Sequence, residues 1–597
     1  MQTLNYSVQN NKVSDLINWI GEGRIGLPEL QRPFVWKSSK VRDLIDSLYR
    51  GFPIGYIITW SNPDVRLKDG TTSRGKTLMI DGQQRVTALR AAIAGEKVMD
   101  KRFEMKRIRI AFNPKTEEFA TRTAAIERDP AWIEDIAVLF KDDFNSFGFV
   151  TEFAGKNDYD VNDTAAVIER VRMLANNEIG NIQLSHRLSI DAVTEVFNRI
   201  NSKGTVLSSA DFIMSKLSAD TEHHGDMLRK AVEYFTRLLR DGTALDDITS
   251  NDTLFAGSEY YRMVAWAANE NSNLYLPEFG DIFHVILNVK FNRGKHADLI
   301  SLVSGRDFAT KQYTQAAMDD TYTRLSDGIK LVTDKSNFQR YIIILRGMGM
   351  VTSDKTKIQG TGVLNFGYAL YLLLKHEIDT GLSNTQIENV VRRWILLSIL
   401  TQRYSGSSET QSEADIKKFR LGDPLAVLAL QEKLNLTDGF WSDRLPKNLV
   451  TSSAVTNLWR VFLMSQVRKH SQLWLERDLS LVDALTEEGN VHHIFPRAYL
   501  IKHGFGKNEY NQIANYVFLS QPRNLQISDQ APKEYLTKSD IVQYGSAENF
   551  AENSVPLSLK TMDYTHYESF LDQRRMLMAE SIRGLYYSFA VAGSAND

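Results

Sequence analysis

From about residue 225 to residue 430, nearly every segment of the chain places apolar residues three or four positions apart. Clear examples are Tyr341 to Leu345, Leu364 to Leu374 and Val390 to Leu400. This spacing brings the apolar side chains to one face of an α-helix, so the block predicts a domain of amphipathic helices. With 597 residues, of which 43% are apolar, the chain is too long for one hydrophobic core and should form several domains.

The first 110 residues follow a different pattern, in which short helices alternate with short strands. The predicted elements are a helix that is capped by Ser38 or Ser39 and ends at Gly51, and strands at Gly55 to Trp60, Lys76 to Ile80 and Arg107 to Phe112. The sequence therefore predicts a multidomain α+β protein. Its domains would be an N-terminal α+β domain (1–225), a helical connecting domain (226–430) and a C-terminal, mostly helical domain (431–597).

The composition restricts both the compartment and the ligands. No segment approaches about 18 consecutive apolar residues, and the first ten residues lack a basic stretch followed by an apolar one. We therefore expect a soluble protein of the cytoplasm, with no membrane partner. The chain has 0 cysteines, which excludes disulfides and four-cysteine zinc sites, so a metal ion would have to bind histidine, carboxylate or amide oxygen.

The formal net charge of -2 does not favour wholesale binding of a polyanion, so contact with nucleic acid would depend on local basic clusters. A solvated charged face is the alternative interpretation of each cluster. The candidate clusters are Lys101, Arg102, Lys106, Arg107 and Arg109; Lys417, Lys418 and Arg420; and Arg574 with Arg575.

A group of histidines and asparagines near the C-terminus carries the clearest chemical signal. His492 and His493 precede Ile494-Phe495-Pro496, and Asn515 and Asn524 follow. Hydrolysis of a phosphodiester needs a base that takes a proton from water and a cation that offsets charge on the phosphate. A neutral imidazole can be that base near pH 7, and His493 fits the role. His492 and Asn524 offer a nitrogen and an amide oxygen to a metal ion, and Asn515 can hold the intervening loop.

The alternative interpretation is a pair of structural histidines beside a proline turn. The order His-His-Ile-Phe-Pro, then Asn, then Asn resembles the His-Asn-His (HNH) family of ββα-metal nucleases, in the variant that ends in asparagine. The resemblance covers about residues 490 to 536. It implies that His493 is the general base, that His492 and Asn524 bind Mg²⁺ or Mn²⁺, and that Asn515 is structural. His492 stands where many members have aspartate, a difference that bears on which metal is bound.

In the N-terminal part, the polar turn Asp81-Gly82-Gln83-Gln84-Arg85 lies between an apolar strand and a predicted helix. Backbone N–H groups at the start of a helix attract anions, and an arginine adds a bidentate partner for phosphate. Gly82 permits close approach of the backbone to a ligand. These residues alone predict an anion site, and the alternative is a polar strand-to-helix turn without a ligand.

Four blocks occur in order along the first 220 residues: Leu27 to Trp36, Gly51 to Gly55, Asp81 to Arg85, and Phe197 to Asp211. Together they resemble the ParB/sulfiredoxin-like domain of the GmrSD type of modification-dependent (type IV) restriction systems. The resemblance covers about residues 10 to 220. The presence of the HNH-like motif in the same chain matches the single-chain form of that family.

This resemblance implies a nucleoside triphosphate (NTP) site, for ATP or GTP, whose occupation or hydrolysis is linked to DNA restriction. Asp81 would orient a metal or a water, and Gln83, Gln84 and Arg85 would contact phosphates. The implied nucleotide-binding residues are Asp81, Gly82, Gln83, Gln84 and Arg85, with Gln31 and Arg32 opposite. The implied substrate is double-stranded phage DNA with hydroxymethylated or glucosylated cytosine.

The leading prediction is therefore a metal-dependent DNA endonuclease of antiviral defence whose activity is regulated by NTP. One alternative keeps the nuclease but makes it sense phosphorothioate or nick DNA without any requirement for modification. A further alternative is a nucleotide-responsive DNA-binding protein in which the two histidines are structural. The helical middle would transmit the nucleotide state, and a homodimer interface is an equally open role for its apolar stripes.

Overall fold

A computed structural model describes residues 6–22, 24–26, 34, 36–61, 77–99, 105–185, 188, 193, 209–220, 222–487, 489 and 491–591. Within these ranges the chain is mainly helical with small sheets, in agreement with the predicted mixture of helices and strands. The described strands are β1 Tyr6–Lys12, β2 Ile25–Gly26, β3 Ile57–Ser61, β4 Thr77–Asp81, β5 Lys97–Met99, β6 Met105–Arg107, β7 Ile110–Asn113, β8 Glu118–Thr121, β9 Glu178–Leu184, β10 Val491–His493 and β11 Tyr516–Phe518.

The helices are numbered along the chain in the same way. The first of them are α1 Val13–Gly21, α2 Ser38–Tyr49, α3 Gln83–Leu89, α4 Ser146–Asn157, α5 Val161–Arg172, α6 Ser209–Ala219, α7 Gly225–Leu238, α8 Ala244–Asn251, α9 Thr253–Ala256, α10 Glu259–Val264, α11 Phe279–Ile286, α12 His296–Val303, α13 Gln315–Thr333 and α14 Lys335–Gly347. The others are α15 Thr361–Leu372, α16 Asn384–Leu400, α17 Ser408–Leu421, α18 Pro424–Asn435, α19 Leu445–Asn448, α20 Asn457–Arg468, α21 Leu481–Thr486, α22 Arg497–Lys502, α23 Lys507–Tyr510, α24 Gln521–Ile527, α25 Pro532–Tyr535, α26 Ala547–Glu552 and α27 Tyr567–Tyr587.

The N-terminal sheet is mixed, with the strand order β1-β9-β3-β4-β2. β3 runs antiparallel to β4 and parallel to β9, and the short β2 runs parallel to β4. Neighbouring residues on a strand point to opposite faces. Ile57 and Met79 join the larger core with α1, α2 and α3, whereas Ile58 and Ile80 pack with Leu184 on the other face. Packing on both faces fixes the direction of the turn that leaves β4.

Helix α2 follows the predicted pattern except at its start. Its apolar stripe from Val41 to Leu48 is buried, and Gly51, with φ 72°, lies just beyond its end. The residue before the helix is Lys37, which is extended and makes no side-chain cap hydrogen bond. The predicted cap at Ser38 or Ser39 is therefore wrong, because both serines already lie in the first helical turn.

The single strand predicted from Arg107 to Phe112 is divided in two. β6 ends at Arg107 and pairs with β5, whereas β7 begins at Ile110 and pairs with β8. Between them, the guanidinium of Arg107 forms an ion pair with Asp135 at 2.7 Å. The apolar alternation alone could not show that the backbone changes partner at this arginine.

Most described residues from 225 to 430 lie in helices, but α15 is not amphipathic. Every residue of α15 from Leu364 to Leu372 is buried, which is typical of a helix surrounded by others. A Cβ atom on Gly367 would lie 2.7 Å from Cδ1 of Ile395, so α15 and α16 pack at close range. Helix α16 begins with a capping box between Ser383 and Gln386.

The described contacts divide the chain into two compact units. The first contains residues 1–234, 243–262 and 299–322, and the second contains residues 235–242, 263–298 and 323–597. The division into three domains after residues 225 and 430 stays a prediction. Among the described residues, no helix is long and apolar enough to cross a membrane.

Candidate functional site

The histidines and asparagines of the C-terminal motif lie on a small ββα arrangement within the second unit. β10 and β11 are antiparallel, and in their register His492 is opposite Val517 and His493 is opposite Tyr516. Helix α24 follows β11, and the hydroxyl of Ser520 caps its first turn. Asn524 is the fourth residue of this helix, so strand and helix bring the motif together.

The side chains of His492 and Asn524 lie close together, and both are half-buried. Burial, and then the proximity of His493, lower the pKa of His492, although the nearby amide of Asn524 acts in the opposite direction. The neutral imidazole is the form that binds metal ions. The pair therefore offers one nitrogen and one amide oxygen at the same point. This donor set fits a divalent cation whose other ligands are water and phosphate oxygens.

His493 is oriented by a residue that sequence reasoning missed. Its Nε2 lies 3.0 Å from Oδ1 of Asn511. Because an amide oxygen only accepts hydrogen bonds, Nε2 carries the proton and Nδ1 is the basic nitrogen. Burial lowers the pKa of His493 and the positive charge of Arg497 lowers it further, against the opposing effect of Asn511. The site thus holds a neutral imidazole with a defined tautomer.

Asn515 is fully buried and bonds to the backbone on both sides of the loop. Its Oδ1 accepts from the N–H of Phe495 at 2.8 Å, and its Nδ2 donates to the carbonyls of Phe495 and Tyr510, each at 3.2 Å. Its own carbonyl accepts from the N–H of Ile494. These bonds tie the end of β10 to the segment before β11, so the side chain positions the loop.

The long C-terminal helix α27 braces the same loop. Arg574 is 1% exposed, and its Nη1 donates to the carbonyl of Ala514 at 2.9 Å. Arg575, 9% exposed, donates from Nη2 to Oε1 of Gln512. The interpretation of these two arginines as a DNA-contacting cluster is therefore wrong, because both are buried against the protein.

The other candidate clusters give a mixed picture. Lys101 and Arg102 lie outside the described residues. Several of the remaining basic side chains are already paired within the protein: Arg107 with Asp135, Lys417 with Glu413, and Lys418 with Asp415. These pairs reduce the positive charge that the cluster with Arg107 and the cluster with Lys417 and Lys418 present to DNA.

The strand-to-helix turn of the first unit depends on Gly82. This residue has φ 97° and immediately precedes α3, and a Cβ atom at this position would lie 2.6 Å from Cγ2 of Ile57. Asp81 ends β4, and Gln83 begins the helix and donates from Nε2 to the carbonyl of Met79 at 3.3 Å. Only glycine meets both the backbone and the space requirement at this turn.

Arg85 connects the turn to the loop before β3. Its guanidinium bonds to Oδ2 of Asp81 at 2.9 Å, to the carbonyl of Tyr56 at 2.6 Å and to that of Ile54 at 3.3 Å. Gln84 lies half-buried in the same helical turn. A phosphate bound by Arg85 would have to share or replace these partners.

A cavity of about 420 Å³ lies beside this loop. It is lined mainly by Gly51 to Tyr56 and Asn177 to Gly180, and its volume is within the usual range of small-molecule sites. None of the described residues from Asp81 to Arg85 lines it, although Arg85 bonds to the backbone of the same loop. Gln31, Arg32 and most of the first and fourth blocks lie outside the described residues, so their part in the site rests on the sequence.

The N-terminal part of the chain also matches a known family. Residues 13–218 match the family model of the GmrSD restriction endonuclease, N-terminal domain. The match supports a relationship to GmrSD-like restriction endonucleases, and with it nuclease activity and DNA as the substrate. It covers about a third of the chain and ends before the C-terminal histidines.

A second similarity runs along nearly the whole chain. The uncharacterized protein MJ0686 of Methanocaldococcus jannaschii is 22% identical over 577 residues, a span that covers 92% of this chain and 90% of that protein. The relative's name states no activity. The similarity nevertheless extends far beyond the GmrSD-type domain, so most of the remaining chain also has a counterpart in that protein.

Proposed function

We propose that this protein is a modification-dependent DNA endonuclease whose cleavage site centres on His493 and whose GmrSD-type domain makes cleavage responsive to NTP. The ββα arrangement carries this proposal, because β10 and α24 hold the proposed base His493 and the proposed metal ligands His492 and Asn524 in one small region, where His493 is close enough to lower the pKa of His492. The family match supports DNA as the substrate. The predicted antiviral role rests on the same resemblance.

His493 would act as the general base. With the Nε2 proton held by Asn511, Nδ1 can accept a proton from a water molecule, whose oxygen then attacks the phosphorus while the opposite P–O bond breaks. Arg497 is exposed, and its charge is close enough to lower the pKa of His493. An exposed guanidinium at this position can pair with the phosphate of the substrate. Asn515 and Arg574 hold the loop that shapes this arrangement.

His492 and Asn524 would hold Mg²⁺ or Mn²⁺, which supplies positive charge to the phosphate and to the departing oxygen. The imidazole and the amide are both neutral, so they leave the charge of the ion uncompensated. An imidazole nitrogen is a softer donor than the aspartate oxygen common at this position, which favours Mn²⁺ over Mg²⁺.

For the N-terminal domain, we propose that ATP or GTP binds at the turn from Asp81 to Arg85. The left-handed Gly82 at the start of α3 and the guanidinium of Arg85 support this assignment. A phosphate that competes with Asp81 for Arg85 would loosen the hold of Arg85 on the loop at Ile54 and Tyr56. This exchange would let the domain sense the nucleotide.

The test is cleavage of matched phage DNAs, one with hydroxymethylated or glucosylated cytosine and one unmodified, with Mg²⁺ or Mn²⁺ and with or without NTP. We expect cleavage of modified DNA that responds to NTP, and loss of that response in Arg85→Ala with the His493 site intact. Equal cleavage of both DNAs would instead support a relaxed nuclease. Cleavage of phosphorothioate DNA, without cleavage of either phage DNA, would show that the recognised modification is phosphorothioate and not a modified cytosine.

A further inference from the structure

Three side chains suited to metal binding converge in the helical part of the second unit, outside the ββα arrangement. His284 on α11, His296 at the start of α12 and Glu409 on α17 each offer one ligand atom, and these atoms lie within 4.8 Å of one another. His284 is 6% exposed, and the other two are partly buried. The mechanism proposed for DNA cleavage uses none of them.

A hydrogen bond to a backbone carbonyl orients the imidazole of His296. Nε2 of His296 lies 2.8 Å from the carbonyl oxygen of Gly280, so it carries the proton, and Nδ1 faces the carboxylate of Glu409 at 2.6 Å. The ring of His284 lies close to the backbone of Gly294. Histidines that bind metals usually donate their outer N–H to such a carbonyl, because that bond directs the other nitrogen at the ion.

The backbone around the cluster is tightly packed. A Cβ atom on Gly294 would lie 1.9 Å from the carbonyl oxygen of Glu409, so the turn before His296 lies directly against the first turn of α17. The N–H of Gly294 also donates to Glu413 at 3.1 Å. The ligand atoms therefore belong to a frame that is already assembled by backbone contacts.

The donor atoms suit a divalent cation, because the cluster combines two imidazoles with one carboxylate. Without a metal, His296 and Glu409 would form an ion pair. That ion pair is the alternative role for the cluster.

We propose that His284, His296 and Glu409 form a structural metal site that binds Zn²⁺ and fastens α11, α12 and α17 together. Two imidazoles and one carboxylate suit Zn²⁺ in a chain with 0 cysteines, and three protein ligands leave a fourth position for water. The site stabilises the start of α17, which follows a loop at residues 404–407.

The test uses full-length protein with His492→Ala and Asn524→Ala, so that the ββα site cannot contribute an ion. After loading with Zn²⁺ and gel filtration into metal-free buffer, metal analysis should find about one Zn²⁺ per chain. Adding Glu409→Gln, which keeps the shape of the side chain, should reduce the content to near none. His376→Ala is the matched control, because His376 bonds to Asn337 and not to the cluster, and it should retain the ion.

Two further measurements do not depend on nuclease activity. We call the protein with His492→Ala and Asn524→Ala the parent. Zn²⁺ should raise the melting temperature of the parent in a concentration-dependent way, and it should not change the melting temperature of the parent that also carries Glu409→Gln. Co²⁺ loaded in place of Zn²⁺ should give visible absorption bands in the parent alone. Absence of bound Zn²⁺ from the parent, or equal Zn²⁺ in parent and Glu409→Gln, would overturn the metal site and leave the ion pair.

Discussion

The hydrogen bond between Asn511 and His493 determines which imidazole nitrogen can act as a base. The sequence could place His493, since the two histidines before a proline form a recognisable pattern. It could not single out Asn511, because the bond joins residues 18 positions apart and nothing in the run Tyr510-Asn511-Gln512 distinguishes this asparagine from others. Partners of this kind depend on how the loop folds back on the strand.

We expect the pH profile of DNA cleavage to respond to this bond. Burial lowers the pKa of His493 below the ordinary histidine value of 6.5. In the wild type we therefore expect the imidazole to be mostly neutral at pH 6.5 and cleavage activity to fall only at lower pH. In Asn511→Asp, a carboxylate would stabilise the imidazolium and move the acidic limb to higher pH by about 1 unit or more. Asn511→Ala should instead lower the plateau rate by roughly 10-fold or more without that upward shift. Identical pH profiles in all three proteins would contradict the assignment of the proton to Nε2 of His493.

At the strand-to-helix turn of the first unit, we expect Gly82→Ala to reduce stability. The new side chain would combine a left-handed backbone with a clash against Ile57, at a cost of roughly 2 to 4 kcal/mol in the free energy of unfolding. Gly51→Ala is the control, since Gly51 has φ 72° but no atom within 4 Å of the added Cβ, and it should cost about 1 to 2 kcal/mol. Urea unfolding followed by fluorescence measures both, and equal losses would show that the contact with Ile57 is unimportant.

At the scale of elements, α27 supports the cleavage loop through a buried cation. Burial lowers the pKa of Arg574 to about 9, which still leaves the side chain charged at pH 7. Its Nε has no hydrogen-bond partner within the described part of the chain. Burial of a guanidinium that only carbonyls hold costs desolvation free energy. We therefore infer that Arg574 serves to fix the position of Ala514, next to Asn515.

We therefore expect Arg574→Met to affect cleavage more than folding. Removal of the buried charge offsets the loss of a hydrogen bond at Ala514, so the free energy of unfolding should change by less than about 2 kcal/mol. The rate of DNA cleavage should fall by roughly 10-fold or more, because the loop with Asn515 loses its brace. Single-turnover cleavage and urea unfolding of the same preparation separate the two effects. An unchanged rate would contradict the positioning role.

The elements that sequence could predict are those that a local pattern specifies. The stripe in α2 and the strands β3 and β4 lie within one or two residues of their predicted positions. The division of the Arg107 to Phe112 segment and the full burial of α15 could not be predicted, because both depend on neighbours distant in sequence. The burial of Arg574 was hidden for the same reason, since charged residues usually lie at the surface.

For the whole molecule, the proposed regulation makes a thermodynamic prediction. If NTP binding and DNA binding are coupled, each ligand must change the affinity of the protein for the other by the same factor. We expect titrations with a non-hydrolysable nucleotide and modified DNA, using catalytically inactive protein, to give matching factors of roughly 5-fold or more. Affinities that do not depend on the other ligand would exclude coupling and leave the helical middle with another role, such as dimerisation.

The division of the chain into domains could be predicted only in part from the sequence. Composition and the change in apolar spacing predicted several domains of mixed type, and the family match supports the identity of the first. The division into two units was not foreseen, because segments 243–262 and 299–322 join the N-terminal unit from within the helical part. Periodicity identifies these segments as helical and cannot show which core they join.

The most direct test of the nuclease proposal compares His493→Ala with His503→Ala in cleavage of modified phage DNA with Mn²⁺. His503 is an exposed histidine that stacks on Tyr564, so its removal controls for general effects near the ββα arrangement. We predict that His503→Ala cuts at close to the wild-type rate and that His493→Ala loses at least about 100-fold, the contribution of a positioned base. Metal-dependent cleavage by His493→Ala at the wild-type rate would contradict the assignment of the active site.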